Sequence, residues 1–469
     1  MRLTQHQASA MNAPLTVLIY GIALITSKLV GLLLQPWVTQ WLGTTEYGRL
    51  DVLITLITCL SLIVTFGIPD AICRFAHDSA IKRDELLSGA LGLLLLICCG
   101  CSLLFMTNIA TIQHWLPGSP PLLSLYCLLA NLCLNAICTV PLTKLRLTHQ
   151  PKQFVTALLL FSFSQAILIV FLAPRYGING IMAAGLISQF IQLIYLSPHL
   201  PHPKLYHLKR LIRYGRAITL AGLLAFMTLG IERWAIADML SLAELATYAI
   251  AMQWAMAASL LLEPFGLWWF PKRFSFINSS TGITHAALIS ISACQLSTLI
   301  AAGVITIGPV FLTYWLPNDF HASADILPIL ATMMMFKQAS TYLNMGCYQQ
   351  EDGRSVLLIN VISAIVAVTI IFLILPIWGL SALLIGGVST QWLRLVLFYT
   401  WSQRLLPLPY PKMRLLISYL FIALLLIAHY WGSFSIKCLI ALMLMSSVLW
   451  PWRMALWQQT QVMRRSWLS

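Results

Sequence analysis

Residues 176–189 read YGINGIMAAGLISQ, and residues 378–391 read WGLSALLIGGVSTQ. At a constant offset of 202 residues, Gly177 answers Gly379, Gly185 answers Gly387, Ser188 answers Thr390 and Gln189 answers Gln391. The register extends outward without a gap. Pro174 falls on Pro376, and THQPKQ at 148–153 falls on QEDGRS at 350–355. With small gaps it reaches further. WLGTTEYGRLDV at 41–52 parallels MLSLAELATYAI at 239–250, and IYGIAL at 19–24 parallels RYGRAI at 213–218. Similarity that carries through two apolar segments, their loops and their prolines marks a duplicated architecture.

What is duplicated is a membrane-spanning unit. The 469 residues are 59% hydrophobic and 9% charged, with mean hydropathy +0.84. A soluble chain of this length carries far more charge. The apolar residues come in runs of about twenty, the length that crosses a bilayer as helix. The runs are continuous rather than alternating, which excludes a transmembrane β-barrel. The pattern predicts an all-α polytopic membrane protein with about fourteen spans. Their expected positions are 14–40, 50–72, 86–108, 121–142, 154–174, 178–198, 216–240, 247–270, 284–311, 326–347, 355–376, 380–401, 415–431 and 436–452. Each repeat holds six, an even number, so both halves enter the membrane from the same side, as a parallel repeat does. The expected layout is an N-lobe over 1–200, a linker over 201–215, a C-lobe over 216–402, and two extra helices with a tail over 403–469. Two pseudo-symmetric lobes that rock about a central cavity provide alternating access.

The net charge of +14 raises the question of nucleic acid, and its placement answers against it. Lys82, Arg83, Lys144, Arg146, Lys209, Arg210, Arg213, Lys272, Arg273, Lys412 and Arg414 fall on one set of alternate connections. The other set holds only Arg49, Arg175 and Lys437. That is the positive-inside asymmetry, and it puts both termini in the cytoplasm. The basic face then meets anionic lipid heads. The N-terminus lacks the order of a cleavable signal, because Ser9 and Ala10 precede the apolar run. Trp37, Trp41, Trp115, Tyr314, Trp315, Trp268, Trp269, Trp450 and Trp452 form interfacial belts. The eleven Cys lie almost wholly inside apolar runs and read as small hydrophobes. His199, His202 and His207 sit in a stretch that reads as a solvated linker.

A charge at the bilayer centre costs about 2.5–3.5 kcal/mol on insertion scales. Four cations bear that cost: Lys28, Arg233, Lys337 and Arg394. They must face protein or water. Gly21, Lys28 and Gln35 recur every seven residues and are expected on one helix face, with Pro36 bending the outer end. Arg394 is near enough to a span end to snorkel. The acids singled out inside spans are Asp70, Glu232, Asp238 and Glu263, mostly near span ends. A basic, water-filled cavity suits an anion, phosphate above all. The competing reading makes each cation a structural strut paired with an acid or carbonyl. Gln165, Gln189, Gln253, Gln295 and Gln391 suit sugar hydroxyls or interhelical packing. Glu232 and Asp70 are the acids suited to proton coupling.

These residues resemble a family. The six-plus-six-plus-two layout is similar to the multidrug/oligosaccharidyl-lipid/polysaccharide exporter superfamily, and within it to the Wzx-type polysaccharide flippases. GIALITSKLVGLLLQPWVTQWLGTTEYGRLDVL at 21–53, GIERWAI at 230–236 and the unit repeated at 148–195 and 350–397 carry the resemblance. It implies a bacterial inner-membrane transporter without a cofactor. Its substrate would be an undecaprenyl-diphosphate-linked oligosaccharide, of O-antigen or other lipopolysaccharide type, moved from the cytoplasmic to the periplasmic leaflet. A polysaccharide polymerase and a chain-length regulator would be its partners, beside membrane lipids. Lys28 and Arg233 match positions where relatives carry cavity cations. At position 232 the family often has Asp, and here it is Glu232.

Three rivals stand beside this reading. A lipid II flippase shares the span count and the basic cavity. A cationic drug exporter would carry deep carboxylates. A membrane enzyme of polysaccharide assembly would need acids or metal ligands in a sizeable outer loop. The longest such loop, TYWLPNDFHASAD at 313–325, offers Asp319, His321 and Asp325, and reads as a solvated turn. No H-E-x-x-H, P-loop or G-x-S-x-G pattern occurs.

Overall fold

The computed structural model describes residues 21, 25–76, 82–148, 150–278, 280–349 and 354–449, and among them no residue is in a strand. The expected start of the first span at 14, the loop residues 350–353, Trp450, Trp452 and the tail lie outside the described residues. Among the described residues nine helices are long and apolar enough to cross a membrane, or ten if a bent pair is taken as one span. The chain is a multi-pass helical membrane protein.

The chain divides into two compact units. The first takes in the described residues up to Ala249, with Leu316–Phe320 and Ala364–Leu383. It opens with α1 (25–33), which is interrupted at Leu34. Then α2 (Gln35–Thr65) starts with Pro36 in its first turn, where the missing N–H costs no hydrogen bond. Gly43 (φ 70°, ψ 178°) breaks α2 into two arms. At its end Phe66 and Gly67 are both left-handed (φ 49° and 60°), and α3 (Ile68–Phe75) continues. The span expected over 50–72 is therefore bent. Next come α4 (Arg83–Thr107), with Asp84 and Glu85 in its first turn, α5 (Ile109–Trp115) and α6 (Leu122–Leu147), with Lys144 and Arg146 in its last. Acids at the start and bases at the end suit the helix dipole. The 46-residue α7 (Pro151–Leu196) is broken at Gly177. The unit continues in α8 (Leu208–Leu229) and α9 (Ile231–Met239), bent by 42° about Gly230, and in the start of α10 (Leu242–Ser259). Val64, Ile68, Leu86, Leu94, Leu132, Val140 and Leu211 belong to one buried cluster of this unit. In lipid such a cluster is held by close packing rather than by escape from water.

The linker side chains at 202–206 are exposed, as expected of a solvated stretch, while its backbone is seated on a helix. Residues 200–207 run along α4, and the Lys204 amide donates to the Ser88 carbonyl at 3.1 Å. A Cβ on Gly89 would overlap the Tyr206 carbonyl, and one on Gly92 that of Lys204. The two glycines share a face of α4 and leave the groove in which the backbone lies. His207 Nε2 sits 3.7 Å from Glu85 Oε2. Filling the groove with Gly89→Val and Gly92→Val should lift the segment. Trypsin should then cut at Lys204 about tenfold faster in folded protein, since about 1.4 kcal/mol of lost packing is a tenfold change in the open population. An unchanged rate would show that the linker does not depend on the groove.

The second unit comprises Ile250–Trp315, His321–Ser363 and the described residues from Leu384 onward. Residues 208–249 and 364–383 thus group with the first unit by contact, although the sequence places 216–402 in one lobe. After α11 (Glu263–Lys272), α12 (Ser280–Trp315) and α13 (Ala322–Tyr342) run side by side. Between them the Phe320 amide donates to the Pro317 carbonyl at 3.0 Å, the turn expected at Pro317–Asp319. There follow α14 (Met345–Gln349), α15 (Arg354–Thr369), α16 (Leu375–Trp378), α17 (Leu380–Leu405), α18 (Lys412–Trp431) and α19 (Phe434–Leu449). The last two are the extra helices. Ile422, Leu425, Leu444 and Val448 pack on Ala301, Ile305, Ala331 and Met335 of α12 and α13.

The repeat is visible in the backbone. Gly177 has φ 55° and ψ −132°, and Gly379 has φ 57° and ψ −148°. Only glycine adopts this region readily. About two helical turns later the copies agree again. A Cβ on Gly185 would lie 2.8 Å from Asn131 Nδ2, and one on Gly387 would lie 2.6 Å from Met333 Sδ. Asn131 and Met333 are themselves 202 residues apart. Ser188, Gln189, Thr390 and Gln391 are all buried.

Candidate functional site

The site grows from the second arm of α2. Gly48 lets α2 come close, because a Cβ there would overlap the Leu242 carbonyl at the start of α10. Asp51 lies three residues on, on the same face of the helix. Its side chain is 1% exposed. Arg233 of α9 reaches it, donating from Nη1 to Asp51 Oδ1 at 2.7 Å. Trp234 Nε1 donates to the Val52 carbonyl at 3.4 Å, so two neighbouring residues of α9 grip two of α2. Thr55 Oγ1 donates back to the Asp51 carbonyl at 2.8 Å.

Glu232 points the other way around α9, as a step of about 100° requires. It is buried, and Tyr248 of α10 donates its hydroxyl to Glu232 Oε1 at 3.3 Å. One guanidinium thus stands among two buried carboxylates and a phenol. Asp51 Oδ2 is buried and has no hydrogen-bond partner among the described residues. Two buried carboxylates beside one guanidinium leave room in the charge balance for a proton.

Asp51 is the site residue that the sequence reading does not single out. The signal was there, since it lies inside the expected second span, where a carboxylate is costly. Its place one residue from the span edge hides it among ordinary interfacial charges.

The other expected residues are distributed differently. Lys28 is exposed on α1. Gln35 is buried and donates to the Tyr47 hydroxyl at 3.2 Å, and Gly21 is buried as well. Gly21 and Gln35 are buried while Lys28 is exposed, so the three do not share one environment, although Leu34 keeps helical angles (φ −78°, ψ −12°) and i→i−4 bonds run on either side of it. Beside Lys28, the Ser27 and Ser162 hydroxyls are in hydrogen-bond contact. Lys337 is half-buried on α13. Arg394 Nε donates to Asn360 Oδ1 at 3.3 Å, and its guanidinium lies 5.2 Å from the Phe398 ring centroid. The equivalent residue of the first repeat, Gln192, donates to the Ala157 carbonyl at 3.0 Å. Both tie the helix after the glycine break to the helix before it. Asp70 is exposed in the first turn of α3.

Arg273, which the sequence uses only as a topology charge, is buried. It donates from Nη1 to Asn344 Oδ1 at 3.0 Å. The Phe270, Phe274 and Tyr348 rings surround it at 5.2, 4.7 and 5.1 Å. Burial pulls this guanidinium below its ordinary value, and the ring faces offset part of that cost. Among the described residues no three His, Cys, Asp or Glu side chains gather as a metal-ligand set.

A family model described as polysaccharide biosynthesis protein matches residues 16–276. No curated protein matches the chain by sequence. Among solved structures, the chain is similar to the lipid II flippase MurJ in an inward closed conformation. The TM-score is 0.69 at 13% identity, over 94% of this chain and 99% of that one. It is also similar to an inward-facing multidrug resistance MATE family transporter of the MOP superfamily, with TM-score 0.60 at 16% identity over 84% and 95% of the two chains. A MOP superfamily transporter from Pyrococcus furiosus gives TM-score 0.51 at 15% identity over 86% and 96%. At these identities the likeness is one of fold.

Proposed function

Because this chain belongs to the polysaccharide biosynthesis protein family and has the MOP superfamily fold, we propose that it is a Wzx-type flippase of a lipid-linked oligosaccharide. The substrate is an undecaprenyl-diphosphate carrying a sugar repeat unit, moved from the cytoplasmic to the periplasmic leaflet by alternating access. The protein then sits in a bacterial inner membrane with both termini cytoplasmic. The two repeats supply lobes over 1–200 and 216–402, with the remaining spans making about fourteen. A polysaccharide polymerase and a chain-length regulator are the partners such a carrier would serve.

The observation that carries the reading is the sign of the charge inside the spans. Lys28, Arg233, Lys337 and Arg394 put four cations inside the spans, where a drug exporter for cations would want acids, and of these Arg233 stands beside the buried acids Asp51 and Glu232. A diphosphate passing them is matched in sign, and Arg is suited to bind it through two oxygens at once. Gln35 completes the set on the substrate side, with Glu232 and Asp70 as coupling acids. No catalytic group is assigned.

Flipping in proteoliposomes tests this. An undecaprenyl-diphosphate oligosaccharide is reconstituted with the protein, and the leaflet of its sugar is followed with an impermeant lectin. Lys28→Ala and Arg233→Gln, compared at equal folded amounts, should each slow flipping about 10–100-fold, since one lost charge-assisted contact is worth about 1.5–3 kcal/mol. Movement untouched by either substitution would keep the transporter and discard the site. Movement of lipid II alone, or export of a cationic dye alone, would overturn the substrate.

A further inference from the structure

The Asp51–Arg233 pair raises a question that a cation site alone does not. If Arg233 is to bind phosphate, what becomes of Asp51? We infer that Asp51 is an internal anion that occupies Arg233 in the empty carrier, and that an incoming phosphate displaces it while Asp51 takes up one proton. The inference rests on the diphosphate reading above and adds to it the group that must be released and the ion that must be bound.

Exposure separates the two partners. Arg233 is 12% exposed and Asp51 1%. The Arg233 side chain thus keeps some exposure through which a ligand can approach, whereas the carboxylate is almost wholly covered. Asp51 is also held in place on its own helix. The Thr55 hydroxyl bonds its carbonyl, and Trp234 ties the next residue, Val52. Arg233 is the partner placed to move. It lies three residues beyond the bend at Gly230 that separates α9 from α8.

The pair is also incomplete. Nη1 meets Oδ1, but Oδ2 is buried without a partner among the described residues. A two-pronged contact would hold the guanidinium more tightly. Phosphate offers several acceptor oxygens and more charge, so it can outcompete a one-pronged carboxylate for the same donor.

Charge balance then fixes the proton. The titratable and charged groups facing Asp51 are Arg233 and Glu232 of α9 and Tyr248 of α10. Glu232 is itself buried and carries the same sign as Asp51. No second cation acts on Asp51 among the described residues. Once Arg233 turns to phosphate, nothing nearby neutralises the Asp51 carboxylate. A bare carboxylate in an apolar surround costs several kcal/mol, and the cheapest remedy is a proton. The Arg233–Asp51 ion pair breaks, an Arg233–phosphate ion pair forms, and one proton from water adds to Asp51 Oδ2. Substrate binding and proton uptake are thereby linked through one residue.

Calorimetry on the purified full-length protein in nanodiscs tests the inference, with inorganic pyrophosphate as probe. Titrations in two buffers of different ionisation enthalpy give the number of protons exchanged. Wild type should take up about one more proton per bound pyrophosphate than Asp51→Asn. Asp51→Asn should also bind more tightly, and its advantage over wild type should grow about tenfold per pH unit above neutrality, where the ligand's own protonation cancels. Arg233→Gln should lose binding. Equal proton counts in wild type and Asp51→Asn would overturn the exchange and leave the diphosphate reading standing. Unaltered binding by Arg233→Gln would overturn it as well. No binding by wild type would overturn both. Should Asp51→Asn fail to fold, the wild-type count decides alone. Uptake no greater than pyrophosphate's own protonation in those buffers would sink the inference.

Discussion

Arg233→Ala is expected to lower the unfolding free energy by about 3–5 kcal/mol, and Asp51→Leu paired with Arg233→Met to return most of it. The asymmetry follows from burial. Removing one partner strands an uncompensated charge inside the protein, whereas removing both removes the desolvation cost with them. Arg233 donates to Asp51 at 2.7 Å with the acid almost wholly enclosed, so the stranded carboxylate has no solvent to relieve it. Detergent titration monitored by tryptophan fluorescence measures the effect, and a double-mutant cycle isolates the pair. A single-substitution cost below about 1 kcal/mol would class the pair with solvated surface bridges, whose worth is that small. The apolar double variant should keep its fold and lose flipping, which separates what the pair does for stability from what Arg233 does for transport.

Gly177→Ala and Gly379→Ala should each cost about 1–3 kcal/mol, the price of a non-glycine residue at φ near +55°. The cost is one of backbone alone. Among the described residues nothing lies within 4 Å of a Cβ on Gly379, and one on Gly177 meets Leu42 Cδ2 at 3.9 Å. Enlarging the side chain further should therefore add little, in contrast to Gly48, where the first carbon already overlaps the Leu242 carbonyl. Because the two glycines share one conformation, their costs should agree within about 1 kcal/mol in the same unfolding titration. A neutral Gly379→Ala would mean that the second break is not the counterpart of the first.

Much of this was legible in the residue order. The 202-residue register named the glycines whose backbone angles agree, and it also relates Asn131 to Met333, which crowd the equivalent glycines Gly185 and Gly387. Pro317, Asn318 and Asp319 announced the turn between α12 and α13. Other features were not legible. The heptad spacing of Gly21, Lys28 and Gln35 says nothing of what packs on each, and the fold buries Gly21 and Gln35 while leaving Lys28 exposed. The linker is exposed as its composition suggests, but that its backbone rests on Gly89 and Gly92, more than a hundred residues before its end, was not legible. Arg273 counts as a topology charge until three aromatic rings are seen around it.

The sequence alone determined that the chain is helical, crosses the membrane repeatedly, and states its architecture twice. Each of those follows from the length and continuity of apolar runs, from loop charge, and from residues such as glycine whose allowed backbone is local. Only the tertiary structure decided which charges are paired. Asp51 and Arg233 are 182 residues apart, and no local rule relates them. Their meeting depends on Gly48 letting α2 close on Leu242 and on the bend at Gly230 turning α9 toward α2. A cation in a span is visible as soon as it is read; the acid that answers it appears only when the helices are packed.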